Sequence, residues 1–363
     1  MVREPNLQDR FIGTILGVGV GDALGAPVEG WSRSTIKTVL GVVRGYQLTL
    51  MGKGIYTDET QLTLLLVKSI LNQHGFDPSM FGKSIGEWMK LSDDGVESAR
   101  GVGRTISLAA RKLYRGVPWN QSGEFSASNG AAVRVAPLVL MHYKGDDVTE
   151  LLHDVENASK PTHIDPLAIE GAQLFAIAIW LILKEDRFFF DKMVFLEKLI
   201  ELSDKYTPKI TTSITQLKKH ISRREADRKV LDPMQSKTAF TCTRECKPLD
   251  DPYNILDEIG TGKYVVESVP AALFCFLNSP DNFEQSLLLA VNAGGDTDSI
   301  GSMTGALSGA LNGAQALPMG WLMDLENREI IMDLAIRLHD LALGLEVPEG
   351  IYYVSPLKIR AQS

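Results

Sequence analysis

Two short stretches of this sequence crowd oxygen-bearing side chains in a way that suits a hard metal ion. One is Tyr56-Thr57-Asp58-Glu59-Thr60-Gln61; the other is Asn292-Ala293-Gly294-Gly295-Asp296-Thr297-Asp298-Ser299. Together they supply the carboxylates of Asp58, Glu59, Asp296 and Asp298 and the hydroxyls of Thr57 and Ser299. Mg²⁺, Mn²⁺ and Ca²⁺ prefer such oxygen sets, whereas zinc prefers His and Cys. If the two stretches meet in space, their carboxylates repel one another unless divalent cations sit among them. A local reading competes at each. Asp58 can cap the apolar helix that follows it, with Gln61 completing a capping box. Asp298 or Ser299 can cap a helix in the second stretch. Two glycines ahead of Asp-Thr-Asp exceed what a cap needs, because Gly294 and Gly295 permit a tight turn and close backbone approach to a ligand. An EF-hand loop is a poor match: Gly301 falls where its glycine would, but the late Glu it requires is missing and the helix starts too early.

Three further segments carry weaker chemistry. In Gly21-Asp22-Ala23-Leu24-Gly25-Ala26-Pro27-Val28-Glu29, Pro27 ends a helix and leaves Glu29 in a loop, where a solvated carboxylate is the plainest reading. The glycines before it lack the spacing of a dinucleotide fingerprint. Ser126-Ala127-Ser128-Asn129-Gly130 precedes a helix, and backbone N–H groups at such a start can hold a phosphate or diphosphate. A plain N-cap at Ser128 or Asn129 explains the same residues. Thr162-His163 offers a single imidazole ahead of Asp165-Pro166.

The elements that must position these groups read almost entirely as helix. Helical periodicity marks 8–25, 61–73, 104–115, 131–143, 166–184, 191–204, 265–277, 282–292, 299–313 and 328–344. Only 38–50 and 351–354 hint at strands. An all-α fold follows, as one domain over 1–363 with functional loops at helix ends. Small residues crowd two of the helices, from Gly13 to Gly25 and from Gly301 to Ala310, which predicts two closely packed central helices. Residues 217–254 are polar, charged and Pro-containing, and read as a surface insertion or loop.

Bulk properties narrow the function classes. The chain has 363 residues, 44% of them hydrophobic, which is ample for a large core. A net charge of −8 and a pI near 5.4 argue against a general nucleic-acid or membrane-surface binder. Cys242, Cys246 and Cys275 do not make a disulfide framework. No further Cys completes a zinc quartet beside the first two, and Cys275 lies in an apolar run. Residues 1–10 have no apolar signal core, and the apolar run Leu174–Leu183 is about half a membrane span. A soluble, cytoplasmic protein is expected.

Gly-Asp-Ala-Leu-Gly-Ala-Pro-Val-Glu (21–29), Thr-Asp-Glu-Thr-Gln (57–61), Ser-Asn-Gly-Ala-Ala-Val-Arg (128–134) and Gly-Gly-Asp-Thr-Asp-Ser (294–299), in this order, resemble the ADP-ribosylglycohydrolase family. Gly262-Lys263-Tyr264-Val265-Val266-Glu267-Ser268 falls between the last two, and the likeness runs from about residue 8 to residue 345. The resemblance implies an all-α fold around two divalent cations, Mg²⁺ or Mn²⁺. It implies metal ligands Thr57, Asp58 and Glu59 from one side and Asp296, Asp298 and Ser299 from the other. Glu29 matches the family's acid–base residue, Ser126, Ala127, Ser128, Asn129 and Gly130 match its diphosphate loop, and His163 matches a His at the substrate cleft. Three positions depart: Glu59 stands where the family usually has Asp, Ser299 where it often has Thr, and Ser128 where it often has Gly.

The implied reaction is hydrolysis of the bond between ADP-ribose and an acceptor, with an arginine-linked protein favoured over a small-molecule adduct. The rival readings are a hydrolase of another ADP-ribose or nucleotide derivative on the same metals, and a non-catalytic relative. Retention of every acidic ligand position opposes the latter.

Overall fold

The computed structural model describes residues 4–96, 99–235 and 251–347, with backbone alone over 226–235. They form α1 (Leu7–Gly25), α2 (Arg33–Val39), α3 (Asp58–Gln73), α4 (Pro78–Asp93), α5 (Arg104–Tyr114), α6 (Gly130–Val133), α7 (Ala136–Met141), α8 (Thr149–Ser159) and α9 (Pro166–Lys184). Then follow α10 (Lys192–Tyr206), α11 (Thr211–Gln235), α12 (Pro252–Ile259), α13 (Val265–Asn278), α14 (Phe283–Val291), α15 (Thr297–Asn312), α16 (Met319–Asp324) and α17 (Arg328–Leu343). Among the described residues β-structure is confined to isolated bridges, so the all-α expectation holds.

Many helix starts are written locally. Asn6, Asp77, Asp165, Asp191, Asp251 and Asn282 each accept a backbone N–H from the first turn of the helix they open. Three of these helices carry Pro in the first turn, where no intrahelical donor is lost.

The centre is the antiparallel pair α1 and α15. Gly13 lies against Gly309, Gly17 against Gly305, Gly21 against Gly301, and Gly25 against Thr297. A β-carbon at Gly17 would fall on the carbonyl of Gly305. The seam therefore brings the two backbones into contact, as the crowding of small residues predicts. Its consequence is positional: the end of α1 and the start of α15 meet at one point.

Several local expectations need correction. The helix expected over 131–143 is two, α6 and α7, because Pro137 cannot donate to the carbonyl of Val133 and its ring crowds that oxygen. Residues 38–50 make no strand; the sole pairing there is the Thr49–Gly52 bridge of a turn. The candidate strand 351–354 lies outside the described residues. Of the expected surface loop 217–254, residues up to 235 belong to α11, whose buried Ile214, Leu217 and Ile221 give it an apolar side. The remainder to 250, with Cys242 and Cys246, lies outside the described residues. Cys275 is buried core, as expected. The length of the apolar run was a poor membrane argument: Leu7–Val28 and Pro166–Lys184 are both long and apolar enough to span. They are instead core helices, 83% and 78% buried.

Candidate active site

The meeting of α1 and α15 builds one wall of a cleft. Beyond α1 the backbone turns through Ala26–Val28 and Glu29, then crosses the loop before α15. The Gly30 amide donates to the Gly295 carbonyl at 2.8 Å, and the Gly295 amide donates to Trp31 at 2.9 Å. Gly294 and Gly295 have φ of 80° and 81°, the left-handed region that favours glycine, and a side chain at Gly295 would strike Thr261. The Asp296 amide donates to the Thr261 carbonyl at 2.7 Å. Held this way, carboxylate oxygens of Glu29, Asp296 and Asp298 lie within 4.8 Å of one another. A group of this kind can hold a metal ion.

The facing wall is the start of α3, and its cap decides between the two readings of Thr57-Asp58-Glu59. Asp58 is the first helical residue, not the cap. Two donors of the first turn, the Thr57 and Thr60 amides, go to Asp22, which is fully buried in α1, while the Asp58 amide donates to the Arg100 carbonyl at 2.8 Å. Asp22 accepts from the Thr57 amide at 3.0 Å, the Thr57 hydroxyl at 2.8 Å, the Thr60 amide at 2.9 Å and the Thr60 hydroxyl at 2.6 Å. Gln61 takes the Arg100 amide at 3.2 Å instead of closing a capping box. A side chain reaching across from another helix thus supplies the cap and leaves Asp58 and Glu59 free of it. The same holds elsewhere in the cleft: Asp296 opens α15 and Asn129 opens α6 without side-chain caps. Asp298 accepts only the neighbouring Ser299 amide, at 2.9 Å.

The two walls touch. Ser299 Oγ donates to Glu59 Oε1 at 2.6 Å across 240 residues of sequence. Thr57, Asp58, Glu59, Asp296, Asp298 and Ser299 are all buried. Burial first, and charged neighbours second, push Asp58, Glu59 and Asp298 well above the usual carboxylate range. The neighbour is Asp298 for Asp58, Asp58 for Glu59, and Asp296 for Asp298. Burial also raises Asp296, against the opposing hydrogen bond from Asn129 Nδ2 at 2.6 Å. Glu59 Oε2 and Asp296 Oδ1 are buried without a hydrogen-bond partner.

Two cleft residues had no assigned role in the sequence analysis. Asp22 was legible only as an acid within the small-residue half of α1, from Gly13 to Gly25. Lys263 lay inside the matching stretch 262–268. Its ammonium is 2.6 Å from Glu29 Oε1 and 3.7 Å from Asp296 Oδ1. Burial disfavours its charge, but Glu29 and Asp296 outweigh that and raise its pKa above the usual lysine range.

The loop 126–130 borders the same cleft, tied to the Lys263 segment. The Asn129 amide donates to the Lys263 carbonyl, and the Val265 amide donates to the Ala127 carbonyl, both at 3.0 Å. The Asn129 amide is therefore already engaged within the protein. His163 is fully buried rather than open to the cleft. Its Nε2 is 2.8 Å from Ser128 Oγ, and its Nδ1 is 2.8 Å from Thr162 Oγ1. Burial first, then the nearby Arg134 charge, lowers its pKa to about 3.

Fold and site together define an all-helical protein with a carboxylate-lined cleft, suited to a metal ion, beside a loop of small polar residues. A sequence model of the ADP-ribosylglycohydrolase family matches residues 3–346, and the chain belongs to that family. It is 31% identical to an uncharacterized protein of Archaeoglobus fulgidus over 93% of this chain and 99% of that protein. It is 27% identical to the ADP-ribosylhydrolase ARH3 of Gallus gallus, covering 92% and 93% of the two chains. The ADP-ribosylarginine hydrolase Tri1 of Serratia proteamaculans is 26% identical, covering 94% and 82%. A solved ADP-ribosylglycohydrolase-related protein complex superposes with a TM-score of 0.66 at 26% identity, over 93% of this chain and 99% of that one. Family membership points to hydrolysis of ADP-ribosylated substrates.

Proposed function

We propose that this protein is a metal-dependent hydrolase that cleaves the glycosidic bond between the distal ribose of ADP-ribose and an arginine side chain of a modified protein. The observation that carries the reading is the junction of the two acidic segments, with Ser299 Oγ on Glu59 Oε1 and two buried carboxylate oxygens, Glu59 Oε2 and Asp296 Oδ1, that accept no hydrogen bond. The donor set fits divalent cations. Every group is an oxygen, and the hydroxyl protons of Thr57 and Ser299 go to Asp22 and Glu59, which leaves their lone pairs for a cation. Thr57, Asp58, Glu59, Asp296, Asp298 and Ser299 would hold two Mg²⁺ or Mn²⁺ ions. Bound there, the ions would offset the carboxylate charge and supply Lewis-acid orientation of substrate hydroxyls.

The chain's own residues account for the rest. Glu29, half-buried at the edge of the carboxylate group, is the acid–base residue, positioned to move a proton between water and the leaving group. Carboxylates around the cleft favour the positive charge that develops on the sugar as the bond breaks. The loop 126–130 receives the diphosphate. The arginine preference draws support from the likeness to Tri1.

A release assay on arginine-linked and serine-linked ADP-ribosyl peptides, run after chelation and after return of Mg²⁺ or Mn²⁺, tests the reading. Metal-dependent release from the arginine peptide is expected. Release from the serine peptide alone would overturn the leaving group, and release from neither would overturn the hydrolase.

A further inference from the structure

Behind the loop 126–130 runs a chain of buried polar groups. The Arg134 guanidinium, sealed in the core, donates to the Gly130 carbonyl at 2.7 Å and to Thr162 Oγ1 at 2.5 Å. Arginine has no acceptor, so Thr162 Oγ1 must accept from it. The threonine's own hydrogen then has two destinations: His163 Nδ1 at 2.8 Å, or the Ser159 carbonyl at 3.4 Å. Distance selects the imidazole. Electrostatics agrees, because a lone pair on Nδ1 faces the Arg134 side whereas an N–H there would oppose it. With Nδ1 as acceptor, the neutral ring carries its proton on Nε2 and donates to Ser128 Oγ at 2.8 Å.

A second chain arrives from the other side. Thr105 Oγ1 donates to Ser126 Oγ at 3.1 Å, and Ser126 Oγ donates to Ser128 Oγ at 3.3 Å. Both chains end with Ser128 accepting, so among the described residues its own hydrogen has no acceptor left. Ser128 is only half-buried.

We propose that Ser128 is an oriented hydrogen-bond donor to an anionic phosphate oxygen of the bound nucleoside diphosphate sugar, with His163 and Thr162 as positioning residues that fix its direction. The proposal rests on the functional reading above. It gives a role to the position where the family often has glycine: the added hydroxyl is turned outward by its neighbours instead of crowding the loop. His163 acts through Ser128 and does not touch the ligand.

Two measurements test it. Long-range ¹⁵N–¹H NMR of the imidazole in the folded protein reads the tautomer directly, and the Nε2–H form is expected. Titration calorimetry with ADP-ribose reads the donor. Ser128→Ala should weaken binding about 10-fold or more, the range for a hydrogen bond to a charged acceptor. Thr162→Val removes the donor to Nδ1, so Ser128 is free to turn its hydrogen onto His163, and affinity should fall similarly. In the double variant the two losses should not add, whereas a merely structural Thr162 would add its own. An Nδ1–H tautomer, an unchanged affinity in Ser128→Ala, or additive losses would each overturn the proposal while leaving the hydrolase intact. Wild-type protein that does not bind ADP-ribose would overturn the functional reading, and the proposed ligand with it.

Discussion

At the residue scale, His163 and Glu29 make opposite demands on their surroundings. His163 is kept neutral, first by burial and then by Arg134, with a pKa near 3 in the folded protein against 6.5 for the free side chain. Between those values the unfolded chain binds a proton that the folded chain refuses. Its effect is absent above about pH 6.5, and stability falls as the pH drops from there toward 3. One such group contributes a slope approaching about 1.4 kcal/mol per pH unit inside that window. Urea unfolding between pH 7 and pH 4 should therefore be shallower in its pH dependence for His163→Gln than for the wild type. Equal slopes would show that His163 is not the source. The acid–base role proposed for Glu29 is tested by substitution. Glu29→Gln retains a neutral partner for Lys263, so fold and most metal binding should persist while turnover falls about 100-fold or more, the range for loss of a general acid–base group. A rate near that of the wild type would remove Glu29 from the mechanism.

Among the elements, α1 and α15 carry both structure and site, and their glycines divide by what they face. Gly17 sits where a β-carbon would strike the Gly305 carbonyl, a backbone atom that cannot yield without moving the helix. Gly17→Ala should cost about 3 kcal/mol and displace Glu29 relative to Asp296. Gly19 lies two residues along the same helix. A β-carbon there meets only the side chains of Ile331, Leu325 and Thr60, at 3.5–3.6 Å. Gly19→Ala should be neutral or stabilising by up to about 1 kcal/mol, because alanine is the better helix former and the space admits a methyl. Thermal denaturation of the pair checks this, and similar losses at both positions would contradict the seam. The sequence showed that small residues crowd this helix. It could not show which of them face a backbone, since the crossing of α1 and α15 is a property of the packed pair.

Across the whole molecule, the metal reading makes distant residues interdependent. Asp58 and Asp296 stand 238 residues apart in the sequence (296 − 58) and face each other across the cleft. If each merely supported its own helix, Asp58→Asn and Asp296→Asn would each cost about 1 kcal/mol or less, and the losses would add. If they share cations, either change should sharply weaken Mg²⁺ or Mn²⁺ binding, and the double variant should lose much less than the sum. Chelation should lower the wild-type melting temperature, because metal at a hundredfold excess over its Kd stabilises by about 2.7 kcal/mol. The Asn variants should lose less on chelation, since part of the carboxylate repulsion is already gone. Additive losses together with no chelator effect would favour helix support and end the metal reading.

Helix positions and the chemical types gathered at the site were legible in the sequence because both are local properties. Apolar periodicity marked α1, α3, α5, α9, α10, α13, α14, α15 and α17, and the acidic residues later found in the cleft stood in three short motifs, 21–29, 57–61 and 294–299. The helices α4, α8 and α11 were not read from the sequence, although α4 and α8 repeat buried apolar residues at helical spacing, Phe81, Ile85 and Trp88 in one and Leu151, Val155 and Ala158 in the other. Capping and coordination draw on the same oxygens, so local sequence could not choose between them at Asp58, Asp298 or Ser299. Tertiary structure decided at Asp58, by sending Asp22 across from α1 to take the Thr60 amide, a donor that a capping Asp58 would use. It also placed Lys263 against Glu29 and buried His163 behind Ser128. Sequence spacing encodes none of these contacts, because each joins residues more than 30 positions apart that meet only in the packed fold.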